Sequence, residues 1–296
     1  MNASGHGSPS ASSAPRPAPL PRVALVTGGA RRLGRHMALA LARDAWDIGI
    51  HYGQSAAEAE QTVAEIRALG RRAVALHAPL EDADACRQLI PRLEAALGPV
   101  CGLVNSASRF VYDDIQSLSP QSLDEHLRPN LVAPILLAQS LAEQLARHPQ
   151  APDGVIVNLL DQKLSNLNPD FLSYTLTKAA LAAATTMLAQ ALAPRIRVVG
   201  IAPGLTLPSY LQDEAAFAHA HRTLSPLGAS STADDIAASV VFAMKTRSLT
   251  GSVLTVDGGQ HLLGLPRDAS LMTAAGTAEA NTMGHASLPG TDASTR

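Results

Sequence analysis

The chain has 296 residues and a net charge of −2, with 46% hydrophobic and only 16% charged residues. That balance supports a sizeable core and speaks against a basic nucleic-acid groove or a cationic membrane-binding face. Aromatic residues make up just 3%, so the core is aliphatic, which suits helices packed closely on a parallel sheet.

Residues 1–20 are rich in Ser, Pro, Ala and Gly. They bury too little apolar surface to offset the entropy of ordering, so a disordered tail is expected there. The segment has no apolar central region, so it does not read as a secretory signal. No apolar run approaches the roughly 20 residues of a membrane span. Cys86 and Cys101 have neither a pairing pattern nor metal-ligand spacing, and read as reduced thiols of a cytoplasmic protein. The ten histidines do not cluster, and no metal is expected.

From Arg22 to Val26 an apolar run leads into Thr27-Gly28-Gly29, and a helical pattern follows over 33–43. A second strand is expected at 47–52, then a helix from an N-cap at Ser55 to Leu69, stopped by Gly70. A third strand at 73–77, a helix at 84–97 and a fourth strand at 101–105 come next. The long helical pattern over 122–146 contains Pro129 and Pro134, which should kink or interrupt it. A fifth strand at 154–160, an Ala-rich helix at 174–192 and a sixth strand at 196–201 follow. Residues 205–225 carry mixed signals and read as an excursion over the site; a helix at 233–245 and a seventh strand at 252–256 complete the series. Alternation of this kind predicts one α/β domain over 21–264, a doubly wound parallel sheet with helices on both faces. The small, polar stretch 265–296 is expected to be a flexible tail.

Thr27-Gly28-Gly29-Ala30-Arg31-Arg32-Leu33-Gly34 follows the first strand and opens the first helix. Glycines there allow a tight turn and close approach of backbone N–H groups to a diphosphate, and the helix N-terminus favours negative charge. A plain structural turn is the alternative. The second strand ends at His51-Tyr52-Gly53-Gln54-Ser55, without the acidic residue that binds ribose hydroxyls in NAD enzymes. Ser55 and Arg31 could hold a 2′-phosphate, which favours NADP(H); Arg31 as a solvated charge is the alternative.

Tyr174 and Lys178, four residues apart, share one face of a helix. A neighbouring ammonium is expected to lower the phenol's pKa, so that Tyr174 gives a proton in reduction and takes one in oxidation. An ordinary amphipathic helix start is the plain alternative.

These landmarks together, TGGARRLG (27–34), NSAS (105–108), Asn130, YTLTK (174–178), Pro203-Gly204 and VDGG (256–259), resemble the short-chain dehydrogenase/reductase family over residues 22–264. The resemblance implies a Rossmann-type seven-stranded sheet and a homotetramer built through the long helices. It implies that Asn105 supports the cofactor strand, that Asn130 completes a proton relay and that Lys178 holds the nicotinamide ribose. The implied cofactor site also takes in Gly28, Arg31, Arg32, Leu33, Gly34, His51, Tyr52, Ser55, Leu80, Ala107, Ser108, Tyr174, Pro203 and Gly204.

One departure is informative. The family usually has a Ser 13 residues before the Tyr, and here that residue is Asp161. A carboxyl can bridge Tyr174 and a ring nitrogen and relay a proton to it. Reduction of a C=N bond needs that, because nitrogen gains a proton as carbon gains hydride. The alternative is a substituted carbonyl reductase in which Asp161 caps the following loop. The Asp–Tyr–Lys set resembles the pteridine reductase branch, as do ARRLGR, HYGQSAAEAE and NSASRF. By that resemblance Arg32, Phe110, Asp161, Tyr174 and Leu205 bind the substrate, with Phe110 stacked on a flat ring. Gln54, Pro79, Ser106 and Arg109 differ from the branch. Asp113 and Asp114 read as a solvated loop, and residues 205–210 as part of a lid.

The reading that results is an NADPH-dependent reductase of dihydropterin-type or dihydrofolate-type C=N bonds, with Asp161, Tyr174, Lys178 and Asn130 as catalytic residues. A ketone, sugar or acyl oxidoreductase is the second reading, and a non-catalytic cofactor-binding scaffold the third.

Overall fold

The computed structural model describes residues 22–272. Seven parallel strands run in the order β3-β2-β1-β4-β5-β6-β7: β1 Arg22–Val26, β2 Trp46–Tyr52, β3 Ala73–His77, β4 Val100–Asn105, β5 Gly154–Leu159, β6 Ile196–Pro203 and β7 Val253–Val256. Five of these strands, β1, β2, β4, β5 and β6, are mostly buried and largely apolar, because helices cover both faces of the sheet, while the edge strands β3 and β7 are more open. The pleat sorts alternate residues: Ala24 and Val26 join one core layer, Val23 and Leu25 the other. The first layer is closed by α1 (Arg32–Arg43), α2 (Ala56–Ala68) and α8 (Ala233–Lys245). On the second face lie α3 (Ala83–Leu97), α5 (Ala133–Arg147) and α6 (Leu172–Leu192). Strand order reverses between β1 and β4, which opens a crevice at their carboxyl ends.

The long helical pattern is split as expected. It forms α4 (Pro120–Leu127), a π-helical turn over Arg128–Val132 and then α5. Pro129 has no N–H for the α-helical ladder, and the wider turn closes instead through Ala133 N–H donating to Arg128 O. Within the excursion a helix, α7, spans Glu214–Thr223.

Helix starts divide into two groups. Asp82, Ser119, Asp213 and Thr232 cap α3, α4, α7 and α8 with side-chain hydrogen bonds. Helices α1 and α2 have no such cap, and Ser55, expected as an N-cap, leaves its hydroxyl unused. Both uncapped ends open on the same crevice.

The expected tail boundary needs correction. Residues 265–272 do not hang free: Arg267 pairs with buried Asp170, and Asp268 starts a 3-10 turn at Ala269–Leu271. Ion-pair and backbone contacts to the 162–170 segment offset the ordering cost there. The remainder of that tail and the N-terminal tail lie outside the described residues. Among the described residues no helix is long and apolar enough to cross a membrane. Cys86 and Cys101 are both buried thiols.

Candidate active site

A cavity of about 920 Å³ occupies the crevice. Its cofactor end begins at the turn after β1. Gly28 has φ +63°, and a Cβ there would press on Ala107 Cα at 3.1 Å. A Cβ on Gly34 would lie 2.1 Å from Gly28 O, so α1 packs its bare backbone on the turn. Thr27 Oγ1 accepts hydrogen bonds from Ser106 N (2.9 Å) and Ala107 N (3.0 Å), tying the β4 loop to the same turn.

His51 is buried and joins three segments. Its Nδ1 accepts from Gly28 N at 3.1 Å, and its Nε2 donates to Ala78 O at 2.9 Å. That pattern requires the neutral imidazole, and burial keeps the pKa below the usual histidine range. Toward the far end of the cavity stand Tyr52, Ser55 and Leu80, while Gln54 is exposed. Arg31 lies exposed at the mouth. Arg32, expected to face the pterin and the cofactor phosphates, lines the cavity and donates to Pro208 O at 2.8 Å, which ties the turn to the excursion.

At the reacting end, Tyr174 Oη donates to Asp161 Oδ2 at 2.8 Å. The other Asp161 oxygen accepts from Lys163 N at 2.8 Å, so both are held. Burial pushes the Asp161 carboxyl up. The expected lowering of the Tyr174 pKa is not what the geometry gives. Burial, and after it the Asp161 carboxylate, push the phenol well above its usual range. Lys178 does not reach the phenol oxygen: it donates to Leu159 O at 2.7 Å and stands 5.7 Å from the Tyr174 ring centre. Burial brings Lys178 down to about 8, with Asp161 opposing.

Phe110 lines the cavity and is stacked on Phe171, with centroids 4.2 Å apart and planes at 12°. Its neighbour on another side is Tyr174, edge-on at 4.7 Å. Any flat substrate ring on Phe110 would therefore extend an existing aromatic group. Leu205 N donates to Gln260 Oε1, which fixes the start of the excursion. Farther along, Tyr112 N donates to Tyr210 Oη at 2.8 Å, so the excursion is latched over the aromatic cluster.

All but two of the expected site residues line this one cavity. Asn105 sits inside the sheet, its amide donating to Asn158 Oδ1 at 2.8 Å, which suits a supporting role and not contact with cofactor. Asn130 is buried, and its side chain brackets the loop after β4: it accepts from Arg109 N and donates to Arg109 O and Thr177 Oγ1. None of those bonds reaches Tyr174 or Lys178, so the Asn130 side chain is positioned to hold the loop. Asp113 is not solvated. It is buried, and its carboxylate accepts from Ser173 N at 3.0 Å, capping α6 where Phe171 has no cap to offer.

Sequence reasoning missed Phe171, Lys163, Arg267 and Asp268. Phe171 takes the left-handed conformation (φ 53°) that starts α6, and is fully buried. Arg267 and Asp268 carried one signal, a charged pair in an otherwise small and nearly uncharged stretch.

The sequence model of the short chain dehydrogenase family matches residues 22–217. The chain belongs to the short chain dehydrogenase family. It is an oxidoreductase of that family. Among its relatives, the 3-oxoacyl-[acyl-carrier-protein] reductase FabG of Staphylococcus aureus is 31% identical over 245 residues, 81% of this chain and 98% of that one. A FolM alternative dihydrofolate reductase 1 from Brucella canis, solved in complex with NADP, is 39% identical with a TM-score of 0.77, covering 82% of this chain and 94% of that one. A short chain dehydrogenase from Burkholderia cenocepacia, also with NADP, is 35% identical with a TM-score of 0.75, covering 81% and 97%. Within this short chain dehydrogenase, the Asp161–Tyr174 hydrogen bond stands where the family's usual serine would put a hydroxyl.

Proposed function

We propose that the protein is an NADPH-dependent reductase of pterin-type C=N bonds. The observation that carries the reading is the 2.8 Å hydrogen bond between Tyr174 Oη and Asp161 Oδ2. The similarity to the FolM protein of Brucella canis supports it.

The residues at the phosphate end fit the cofactor. The helices α1 and α2 both begin without side-chain caps, so no capping side chain competes with phosphate oxygens there, although Ala56 N of α2 already donates to Gln54 O. A Cβ at Gly28 or Gly34 would fill the turn they surround. Arg31 and the unused Ser55 hydroxyl suit a 2′-phosphate, and no carboxylate follows β2 to repel it. When bound, the reduced nicotinamide supplies the hydride.

Nitrogen must gain a proton as the adjoining carbon gains hydride. Tyr174 is buried and strongly held as the neutral phenol, so it can only deliver a proton if another replaces it on the oxygen. Asp161, whose carboxyl burial favours the protonated form, is that source. With substrate bound the bond reverses: the phenol O–H turns to the substrate nitrogen and protonated Asp161 donates to Oη, so that the phenol proton passes to the nitrogen, the Asp161 proton passes to the phenol oxygen, and solvent reprotonates Asp161. Lys178, held by Leu159 O, keeps a positive charge beside the Tyr174 ring as this happens. Asn130 positions the loop that carries Phe110, and Phe110 offers a stacking face. By family resemblance the working form is a tetramer.

The relation to FabG favours a second reading, reduction of a ketone on an acyl substrate. The two are separated by following NADPH oxidation with dihydropterins, dihydrofolate and simple ketones. Turnover confined to the pterins and folate is expected; turnover confined to ketones would overturn the reading.

A further inference from the structure

The C-terminal turn is built into the reacting end of the cavity. Leu265, Arg267, Asp268, Ala269 and Ser270 all line it. Their anchor is Lys163, a buried lysine two residues beyond Asp161. Lys163 Nζ donates to Asp170 O at 2.6 Å and to Asp268 Oδ2 at 3.0 Å, and stands 5.3 Å from the Phe171 ring centre. Two hydrogen bonds and an aromatic face thus satisfy the ammonium. Asp268 is held in turn. Its N–H donates to Asp170 Oδ2 at 2.7 Å, and its Oδ1 accepts from Ser270 N and Oγ. The Asp170 carboxylate is neutralised by Arg267.

We propose that Asp268 is a positioning residue of the active site: it binds the buried Lys163 ammonium and keeps it off Asp161, leaving the Asp161 carboxyl available to carry a proton toward Tyr174 and the substrate. The inference rests on the proposed role of Asp161. The charged and titratable groups around that carboxyl come from three elements: Lys163 on its own loop, Tyr174 and Lys178 on α6, and Asp268 on the C-terminal turn. Lys163 and Asp268 act on it with opposite sign, the ammonium favouring the carboxylate and the Asp268 charge favouring the acid. In the structure the two are paired with each other. Removing Asp268 deletes the charge that favours the acid and frees the ammonium to turn toward Asp161. Removing Lys163 leaves Asp268 unopposed.

If reduction uses protonated Asp161, the rate is flat at low pH and falls as pH rises through the Asp161 pKa. Asp268→Asn should move that falling limb to lower pH by about one unit, and Lys163→Met should move it to higher pH by about one unit. Asp268→Glu, which keeps the charge, should return the limb to its wild-type position. The pH dependence of kcat is measured on the full chain with saturating NADPH and whichever substrate the panel identifies. Asp161→Asn is run alongside. A second reading of the same group comes from difference infrared titration of the protonated carboxyl band, with Asp161→Asn as the blank, which needs no turnover. Opposite shifts in both measurements support the proposal. If Asp161→Asn abolishes turnover while the limb and the band stay put, or move the same way, in Asp268→Asn and Lys163→Met, the positioning role alone is overturned. If Asp161→Asn turns over like wild type, the proton-donor reading of Asp161 fails, and the Asp268 proposal with it.

Discussion

Replacing Asp161 by Asn removes the ionisable carboxyl but keeps the side chain's size. In the structure Oδ1 accepts from Lys163 N and Oδ2 from Tyr174 Oη. An amide can accept at only one position, so with its oxygen kept on Lys163 N its NH2 faces Tyr174 Oη and can only donate to it, which reverses that bond. The cost in stability is about 1–3 kcal/mol, small enough for the variant to fold. The cost in rate is larger. A positioned proton donor contributes about 100-fold to 10,000-fold, so kcat on a dihydropterin should fall at least ~100-fold, or about 2.7 kcal/mol of barrier. Asp161 makes no hydrogen bond to the Gly28–Gly34 turn, to His51 or to Ser55, so NADPH affinity should hold within about twofold of wild type, since nothing that binds the phosphates has been touched. The assays are stopped-flow NADPH oxidation for kcat, fluorescence titration for the NADPH Kd and a thermal melt for folding. An Asp161→Asn variant that binds NADPH normally and turns over at the wild-type rate would refute the proton-donor role.

Gly34→Ala puts a methyl group 2.1 Å from Gly28 O, a backbone atom that cannot swing aside, so the turn must open. A loss of more than about 2 kcal/mol in stability and weaker NADPH binding are expected, read by denaturant unfolding and titration. Arg31→Ala and Ser55→Ala should each weaken NADPH by about 10-fold and leave NADH within about twofold, which fluorescence titration of both cofactors decides. Lys178 gives a pH test in the cofactor-free protein. Its folded-state pKa, about 8, lies below the ordinary 10.5, so between those values the unfolded chain binds more protons and folding grows more favourable as pH rises. Wild type should therefore gain stability relative to Lys178→Met across that window, measured by urea unfolding. A difference that stays flat with pH would show that the ammonium is solvated.

The strands were legible because a sheet covered on both faces demands continuous apolar runs, and 23–26, 100–104 and 154–157 in β1, β4 and β5 are such runs. The turn at 27–34 was legible because close backbone approach leaves glycine no substitute at Gly28 and Gly34. The break in the long helix was written in Pro129, although a proline does not say that the answer is a π-helical turn. What stayed hidden depends on partners far away in sequence. Arg267 meets Asp170 across 97 residues, and Lys163 meets Asp268 across 105, so neither side of either pair announces its use. Asp113 looked solvated because its partner, the bare start of α6, is 60 residues on.

The same distinction explains the misjudged phenol. Four-residue spacing correctly put Tyr174 and Lys178 on one helix face, and charge alone then argued for a lowered pKa. Spacing does not reveal where an ammonium's hydrogens point, and those of Lys178 reach the β5 carbonyl of Leu159. It also does not reveal that the phenol's hydrogen-bond partner is the carboxyl group of Asp161. A Tyr–Lys pair with a hydroxyl third member would leave the lysine as the only charge near the phenol and favour the tyrosinate. With Asp161 as the third member the balance inverts. The phenol is kept protonated, and the group that changes charge during turnover becomes the carboxyl. That inversion makes the residues around Asp161, and not only those around Tyr174, the place where the chemistry of this chain is set.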